Sequence, residues 1–374
     1  MPDFLYIHIP FCIRKCVYCD FLSITYDETF ANAYIDALCK ELELRKDFAG
    51  TLRAVYIGGG TPSLLSENAF RKLFLCLRDN YHLSADIEIS VEANPGTLTE
   101  SKISALLSLG ANRFSVGVQS FDNAELETLG RIHNSSDASK AVEILKKKGS
   151  KNISIDLMYG IPGQTAQSWR ETLSTAVGLS PHHISAYELT PEKETQLWKS
   201  LELHTLRMPG EDTVIGMYDE ALDYLAACGY GQYEISNFAL SGFECVHNLN
   251  YWNRGHYIGA GAGAHSFSDG TRSRNTGNIK EYIEGLADGR IPETEAIGIT
   301  PQEAVKESLF LGLRKKEGID MKVPGIPEAL IIKAVQDLVN EGYIEMCGDY
   351  LRLTRKGFVI SNTVLVALFE KLGL

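Results

Sequence analysis

The chain has 374 residues, 22% of them charged, and a formal net charge of −12. This length supports one large domain and a smaller one, and the acidic balance argues against general affinity for nucleic acid, which needs clustered Lys and Arg. No apolar run reaches membrane-spanning length, and the first strand begins where a signal peptide would lie. The spacing of the cysteines does not indicate a disulfide framework. We therefore expect a cytoplasmic protein.

The first predicted strand, residues 4–9, leads directly into a loop with three cysteines. Cys12, Cys16 and Cys19 have the spacing C-x3-C-x2-C, and no fourth cysteine follows nearby. A closed electron-transfer cluster normally takes four thiolates, so three predict a cubane [4Fe–4S] cluster with one iron open to an exchangeable ligand. Structural zinc usually needs four ligands in paired motifs, and His8 is more simply a residue of the strand.

Short β-branched runs alternate with helical stretches over the first half of the chain. The predicted strands cover residues 4–9, 53–57, 87–92, 113–118, 152–157 and 183–187. The predicted helices cover residues 29–46, 67–78, 100–109, 136–148 and 166–179, with Ser66 and Thr99 as caps. This alternation predicts parallel strands with right-handed crossovers. Six units predict an α/β fold with a partial (β/α)6 barrel.

Glycines and polar residues fall where the predicted strands end. In a (β/α) barrel those ends share one rim, at which functional residues gather. The rim residues are Gly59, Gly60, Thr61, Glu92, Gln119, Arg131 and Asp156. Glycine lets a ligand approach the backbone closely, a carboxylate accepts ribose hydroxyls, and arginine offers a fork to a carboxylate. A tight turn or an ordinary surface side chain explains any one of them, but together they predict a bound ligand.

The second half of the chain lacks this alternation. Helices are predicted over residues 211–228, 301–313 and 327–341, strands over 342–345 and 350–354, and a last helix from residue 356. We divide the chain into a barrel core (1–205), a barrel extension (206–295) and a C-terminal winged-helix-like domain (296–374), which suits packing or a protein partner better than DNA. Four further thiols are expected to be buried: Cys39, Cys76, Cys228 and Cys347.

Residues 247–252 have the pattern H-N-x-x-Y-W and are preceded by Cys245. Histidine and cysteine are both established ligands of heme iron, and Tyr251 and Trp252 offer aromatic faces to a porphyrin. The structural alternative is an aromatic-rich core turn in which His247 is hydrogen-bonded. Glycines at 259, 261 and 263 permit close approach to a flat ligand. Further candidate ligands are His256 and His265.

The cysteine loop and its flanks, residues 6–12 and 18–21, resemble the opening of the radical S-adenosylmethionine (SAM) superfamily. With the H-N-x-x-Y-W segment they are similar to the branch that contains oxygen-independent coproporphyrinogen III oxidase and the heme chaperone HemW family. The resemblance spans residues 4 to about 370 and implies a (β/α)6 fold in which SAM chelates the fourth iron. The SAM contacts that it implies are Tyr6, Tyr18, Gly59, Gly60, Thr61, Glu92, Gln119, Arg131, Asp156 and the weaker match Thr190.

Two features separate the chain from the oxidase. Asp20 and Phe21 follow Cys19, where the oxidase has a further cysteine, and five residues precede Tyr6, where the oxidase has an extension. The resemblance therefore implies a heme chaperone that hands heme to an acceptor, such as a respiratory heme protein. The oxidase activity is the alternative, so no catalytic residue is assigned. A flavodoxin- or ferredoxin-type electron donor is implied, and a homodimer is left open.

Overall fold

The structure, a computed structural model, describes residues 1–374. The strands are β1 Phe4–Ile9, β2 Phe11–Cys12, β3 Ile24–Thr25, β4 Leu52–Gly59, β5 Leu83–Ala93, β6 Arg113–Gln119, β7 Ile153–Tyr159, β8 His183–Glu188, β9 Gly231–Glu234, β10 Asn237–Ala239, β11 Ile258–Ala260, β12 His265–Ser268, β13 Thr271–Asn275, β14 Glu293–Gly298, β15 Ile319–Asp320, β16 Ile344–Cys347 and β17 Tyr350–Leu353. The helices are α1 Glu28–Arg45, α2 Glu67–Asn80, α3 Glu100–Leu109, α4 Asn123–Thr128, α5 Ser135–Lys147, α6 Ala166–Gly178, α7 Gln196–Glu202, α8 Glu211–Ala227, α9 Val246–Trp252, α10 Ile279–Ala287, α11 Pro301–Gly312, α12 Glu328–Asn340, α13 Arg355–Val359 and α14 Ser361–Leu372. None of these helices combines the length and the apolar character that a membrane-spanning helix requires.

A nine-stranded sheet forms the body of the protein, in the order β11-β1-β4-β5-β6-β7-β8-β10-β9. The six strands from β1 to β8 in this order are parallel to their neighbours, which confirms the predicted (β/α)6 arrangement. The barrel is open, because β11 and β9 are the two ends of the sheet. Parallel strands place their C-terminal ends at one edge, and the predicted rim residues lie there.

Helix caps fix where the crossover helices begin. The side chain of Ser66 accepts a hydrogen bond from the Ala69 amide, and that of Thr99 accepts one from the Lys102 amide. Each bond satisfies an amide that the helix cannot pair internally. Both predicted caps are therefore confirmed.

Part of the predicted barrel extension completes the main sheet. β11 adds a parallel strand beside β1, while β10 and β9 add antiparallel strands beside β8. These runs have only three or four residues, so their periodicity is too short to show in the sequence. The three proposed domain boundaries remain a prediction.

The glycine-rich segment at 259–263 packs against the protein itself. A Cβ atom on Gly259 would lie 2.0 Å from the His265 carbonyl oxygen, and one on Gly261 would lie 2.6 Å from that of His8. The segment is also held by Glu41, which accepts hydrogen bonds from the Gly261 amide at 2.8 Å and from Tyr282 at 2.6 Å. Close backbone packing therefore accounts for these glycines without a flat ligand.

The C-terminal region contains the predicted helix, β-hairpin and helix as α12, β16–β17 and α13–α14. It is tied to the barrel side by ion pairs: Glu307 of α11 accepts from Arg254 at 2.7 Å and from Arg272 at 3.0 Å. Arg355 of α13 bonds both Asp219 and Asp223 of α8 at 2.5 Å. These contacts join the smaller C-terminal region to the main body.

The prediction that the four additional thiols are buried was only partly correct. Cys39 and Cys76 are half-buried, whereas Cys228 and Cys347 are exposed. Cys228 caps the end of α8, and Cys347 ends β16 immediately before the hairpin turn. Helix and hairpin ends lie at the surface, so the prediction for these two residues was wrong.

Candidate functional site

The cysteine loop is held in place by backbone bonds to two neighbouring segments. The Val17 amide donates to the Leu129 carbonyl at 3.3 Å, and the Val17 carbonyl accepts from the Leu197 amide at 2.8 Å. Arg14 donates from Nη2 to the Gly130 carbonyl at 2.8 Å. These bonds fix a loop that has little regular structure of its own.

Cys12, Cys16 and Cys19 are free, half-buried thiols that line one cavity of about 450 Å³ at the barrel mouth. No group of three His, Cys, Asp or Glu side chains converges on a single metal ion. A cubane cluster does not require this, because each thiolate binds a different iron. The chemistry of the three soft donors fits an iron–sulfur cluster.

Two polar side chains point at the sulfur atoms. Thr61 donates from Oγ1 to Cys12 Sγ at 3.6 Å, and Arg131 donates from Nη1 to Cys16 Sγ at 3.4 Å. Such donors stabilise a thiolate and tune the potential of a cluster that it ligates. Gly60 leaves space beside this pair, since a Cβ there would lie 3.0 Å from Cys12 Sγ.

Glu92 joins the glycine turn after β4 to the barrel wall. Its carboxylate accepts from Tyr56 Oη at 2.9 Å and from the Gly59 amide at 3.0 Å. Burial raises the pKa of Glu92 to about 7, against the lowering effect of the Tyr56 hydrogen bond. Gly59 has φ = +116°, a conformation that favours glycine.

Asn94 is a site residue that the sequence did not single out. It donates from Nδ2 to Thr61 at 2.8 Å and accepts from Arg131 Nη2 at 2.6 Å. It therefore links the two side chains that contact the cysteine sulfurs. Asn94 follows Glu92 by two residues at the same strand end. This spacing was the feature of the sequence that could have identified it as a rim residue.

Gln119 and Asp156 occupy different depths of the same cavity. Gln119 ends β6 beside a register shift and has φ = +69°, an uncommon conformation for a residue other than glycine. Asp156 accepts from Ser115 at 3.0 Å. Its pKa is raised because it is buried, although the Ser115 hydrogen bond lowers it. The barrel interior is therefore polar below the rim.

The cavity brings together nine of the ten predicted SAM contacts. They are Tyr18, Gly59, Gly60, Thr61, Glu92, Gln119, Arg131, Asp156 and Thr190. Tyr6 is not among the lining residues, and its ring stacks on that of Tyr56 with the centroids 6.3 Å apart. Lining residues that the sequence analysis missed include Asn94, Arg113, Ser115, Ser185, Tyr187 and Asn248.

The H-N-x-x-Y-W segment forms α9, and its candidate heme ligands point inward. His247 is 1% exposed and Cys245 is 0% exposed. His247 Nε2 lies 2.9 Å from Tyr251 Oη, whereas Nδ1 is buried without a partner. Burial lowers the pKa of His247 to about 3. Tyr251 and Trp252 are partly exposed, and Asn248 is the residue of the segment that lines the cavity.

Comparison with known proteins gives matches to two family models. The model of the radical SAM superfamily matches residues 6–176, and the model of the HemN C-terminal domain matches residues 299–360. Among individual proteins, the heme chaperone HemW of Bacillus subtilis is 36% identical over 98% of this chain and 99% of its own length. The heme chaperone HemW of Lactococcus lactis is 37% identical over 99% of this chain and 97% of its own. The chain belongs to the heme chaperone HemW family.

The HemW-family chain also resembles a solved oxidase. Coproporphyrinogen III oxidase from Escherichia coli, a radical SAM enzyme, superimposes with a TM-score of 0.84 at 22% identity, covering 98% of this chain and 90% of the oxidase. This likeness establishes the radical SAM fold. Membership of the superfamily implies a [4Fe–4S] cluster and SAM as cofactors, and the cavity at the cysteine loop has the donor set for them.

Proposed function

We propose that this protein is a heme chaperone, which binds heme and transfers it to an acceptor protein. The observation that carries the proposal is the similarity to proteins named heme chaperone HemW, at 35–37% identity over 97–99% of the chain. The three-thiol cavity is consistent with it but is shared with the oxidase of the same superfamily. A respiratory heme protein is the proposed kind of acceptor.

Within the cavity, we assign Cys12, Cys16 and Cys19 to three irons of a [4Fe–4S] cluster. Bound there, the cluster and SAM supply one-electron chemistry that the side chains alone lack. Thr61 and Arg131 stabilise the thiolates by hydrogen bonding. Gly59 and Gly60 form the turn that would lie against SAM, with Glu92 of β5 bonded to it, and the remaining cavity residues would orient it.

The proposed heme ligands need a change of conformation. His247 is packed against Tyr56 with the ring centroids 5.3 Å apart and against Tyr251 at 4.8 Å, and Cys245 Sγ lies 3.6 Å from Glu88. An imidazole enclosed in this way reaches heme iron only if α9 moves away from β4. Heme binding through His247 should therefore increase amide exchange in residues 245–252.

Heme titration of the anaerobically reconstituted protein tests the function. We expect a Soret-band change that saturates at one heme per chain, followed by heme transfer to an apo heme protein. A titration without a stoichiometric change would reject the proposal. Release of CO2 from coproporphyrinogen III, with formation of protoporphyrinogen, would instead identify the oxidase.

The surface outside the cysteine loop suits an acidic electron carrier, and we assign the flavodoxin- or ferredoxin-type donor to it. Ile13, Phe21 and Ile132 are 52%, 61% and 49% exposed there. Arg14 and Lys15 add positive charge beside them in a chain with a net charge of −12. Charge complementarity of this kind raises association rates.

Charge reversal at Lys15 tests this surface. Lys15→Glu should slow cluster reduction by the donor several-fold at low salt, whereas Lys280→Glu on α10, 81% exposed, should not. Equal rates of cluster reduction in Lys15→Glu and Lys280→Glu would exclude this surface as the binding site of the electron donor. Whether two copies associate is a separate proposal, checked by the mass of the protein in solution.

A further inference from the structure

Arg113 is a buried arginine inside the barrel. It begins β6 and is 2% exposed, yet it lines the cavity with Ser115 and Gly117 of the same strand. Alternate residues of a strand face the same side, so these three positions form one inward row. Gly117 lies towards the rim, and four residues of strand place Arg113 about 13 Å deeper.

The guanidinium of Arg113 is poorly satisfied by the protein. Its Nε atom is buried without a hydrogen-bond partner, and the Glu88 carboxylate is 4.0 Å from it. Arg45, another buried arginine, shows the contrast: it donates to Glu41 at 2.8 Å and to Asn275 at 2.9 Å. A buried charge without hydrogen bonds is unfavourable. A bound ligand that accepts hydrogen bonds from Arg113 would therefore be stabilised there.

Besides Glu88, Arg113 interacts with two carboxylates that are weak counter-ions. Burial raises the pKa of Glu92 to about 7 and also raises that of Asp156, and both groups are close enough to feel the positive charge of Arg113. At neutral pH Glu92 is therefore partly protonated. The positive charge of Arg113 is therefore opposed mainly by Glu88, which lies 4.0 Å from Nε and is not hydrogen-bonded to it.

We propose that Arg113 is the carboxylate-binding residue of the barrel cavity. An arginine fork matches a carboxylate through two parallel N–H···O bonds. The assignment of the ligand rests on the proposed function: heme carries two propionate groups, and one of them would reach Arg113 past Ser115. Asn248, from the H-N-x-x-Y-W segment, lines the same cavity and offers an amide donor.

SAM is the other source of a carboxylate in this protein. The radical SAM resemblance places that carboxylate on the open iron, at the rim beside the cysteine loop. The backbone of Arg113 lies about 13 Å from the rim along β6, although its guanidinium is near enough to Glu92 at the rim to lower the pKa of that group. This separation favours heme as the source.

Heme and heme dimethyl ester, whose propionates are masked, provide the test. Both are titrated into the reconstituted wild-type protein, Arg113→Gln and Arg113→Lys, and SAM binding is measured in parallel. We expect wild-type protein to bind heme about tenfold or more tightly than the ester. In Arg113→Gln the two affinities should become nearly equal, while Arg113→Lys should keep part of the preference and SAM binding should be unchanged.

Arg314→Gln is the matched control, since Arg314 is also buried, at 8% exposure, but donates to Phe310 and Asn362 outside the cavity. It should retain the full preference for heme. Thermal unfolding shows whether each variant is folded, and Arg113→Lys carries the test if Arg113→Gln does not fold.

The outcomes separate the two proposals. A preference for heme that persists in Arg113→Gln would overturn the role of Arg113 while leaving the chaperone function intact. Loss of SAM affinity in Arg113→Gln, with heme binding unchanged, would assign the carboxylate to SAM and overturn the heme assignment. Wild-type protein that binds neither heme nor the ester would refute the proposed function itself.

Discussion

Buried carboxyl groups make the stability of this protein depend on pH. Glu234, at the end of β9, is 0% exposed and accepts from the Ser236 amide at 3.2 Å. Burial raises its pKa from 4.5 to about 7, although the Ser236 and Asn237 hydrogen bonds lower it. A group with a raised pKa binds its proton more tightly in the folded state. The free energy of unfolding therefore decreases as pH rises from about 4.5 to about 7.

Glu234→Gln should remove the contribution of Glu234 to this dependence. The neutral amide carries no buried charge, and its NH2 group can donate to Asn237 Oδ1, which is buried without a partner. We expect the variant to exceed wild type by less than about 1 kcal/mol at pH 5 and by up to about 3 kcal/mol at pH 8. Thermal or denaturant unfolding at both pH values measures the difference.

Glu284→Gln, at an exposed position of α10, is the control and should differ little from wild type at either pH. A Glu234→Gln effect of the same size at pH 5 and pH 8 would contradict the prediction.

The position of the cysteine loop depends on Gly60, which follows β4. Gly60 lies against the loop, and a Cβ atom there would be 2.7 Å from the Phe11 carbonyl oxygen and 3.0 Å from Cys12 Sγ. The backbone of the loop is bonded on its other side to the segments at Leu129 and Leu197. The loop therefore has little freedom to accommodate a methyl group.

Gly60→Ala should displace Cys12 and lower cluster loading several-fold, because three irons require three correctly placed thiolates. Iron and sulfide content per chain after anaerobic reconstitution is the measurement. Gly216→Ala is the control, since a Cβ on Gly216 of α8 meets nothing within 4 Å. It should load fully and be slightly more stable, as alanine is the better helix former. Equal loading of the two variants would show that the loop adapts.

At the scale of the whole molecule, the C-terminal region clamps the segment around α9. Glu307 of α11 bonds Arg254, just after α9, and Arg272 of β13. Its side chain is 23% exposed, so the ion pairs are partly shielded from water. Arg254 also lies over the Phe267 ring, 4.7 Å from its centroid.

Glu307→Gln should loosen this clamp and lower the free energy of unfolding by about 1–3 kcal/mol. Amide hydrogen exchange should increase in residues 246–257, because the restraint on the end of α9 is lost. Glu345→Gln removes an exposed pair with Arg352 within the β-hairpin and should cost less than about 1 kcal/mol. Exchange in residues 246–257 that is unchanged in Glu307→Gln would mean that α9 is held by its own packing.

The sequence by itself determined the features that are encoded locally. The cysteine spacing, the six β/α units and the caps Ser66 and Thr99 each depend on residues close together in the chain. The strand ends are encoded in the same way, and the predicted rim residues line one cavity for that reason. The same local patterns predicted the C-terminal helix, hairpin and helix.

Only the tertiary structure decided which side chains face the barrel interior, which face solvent and which are enclosed. The inward row of Arg113 and Ser115 lies in a strand whose residues are all or nearly all buried, so neither face is distinguishable by hydrophobicity. His247 has the chemistry of a heme ligand, but its burial is set by Tyr56 and Tyr251 on two different elements. The burial of a side chain depends on neighbours that are distant in the sequence. A local sequence pattern carries no information about those neighbours.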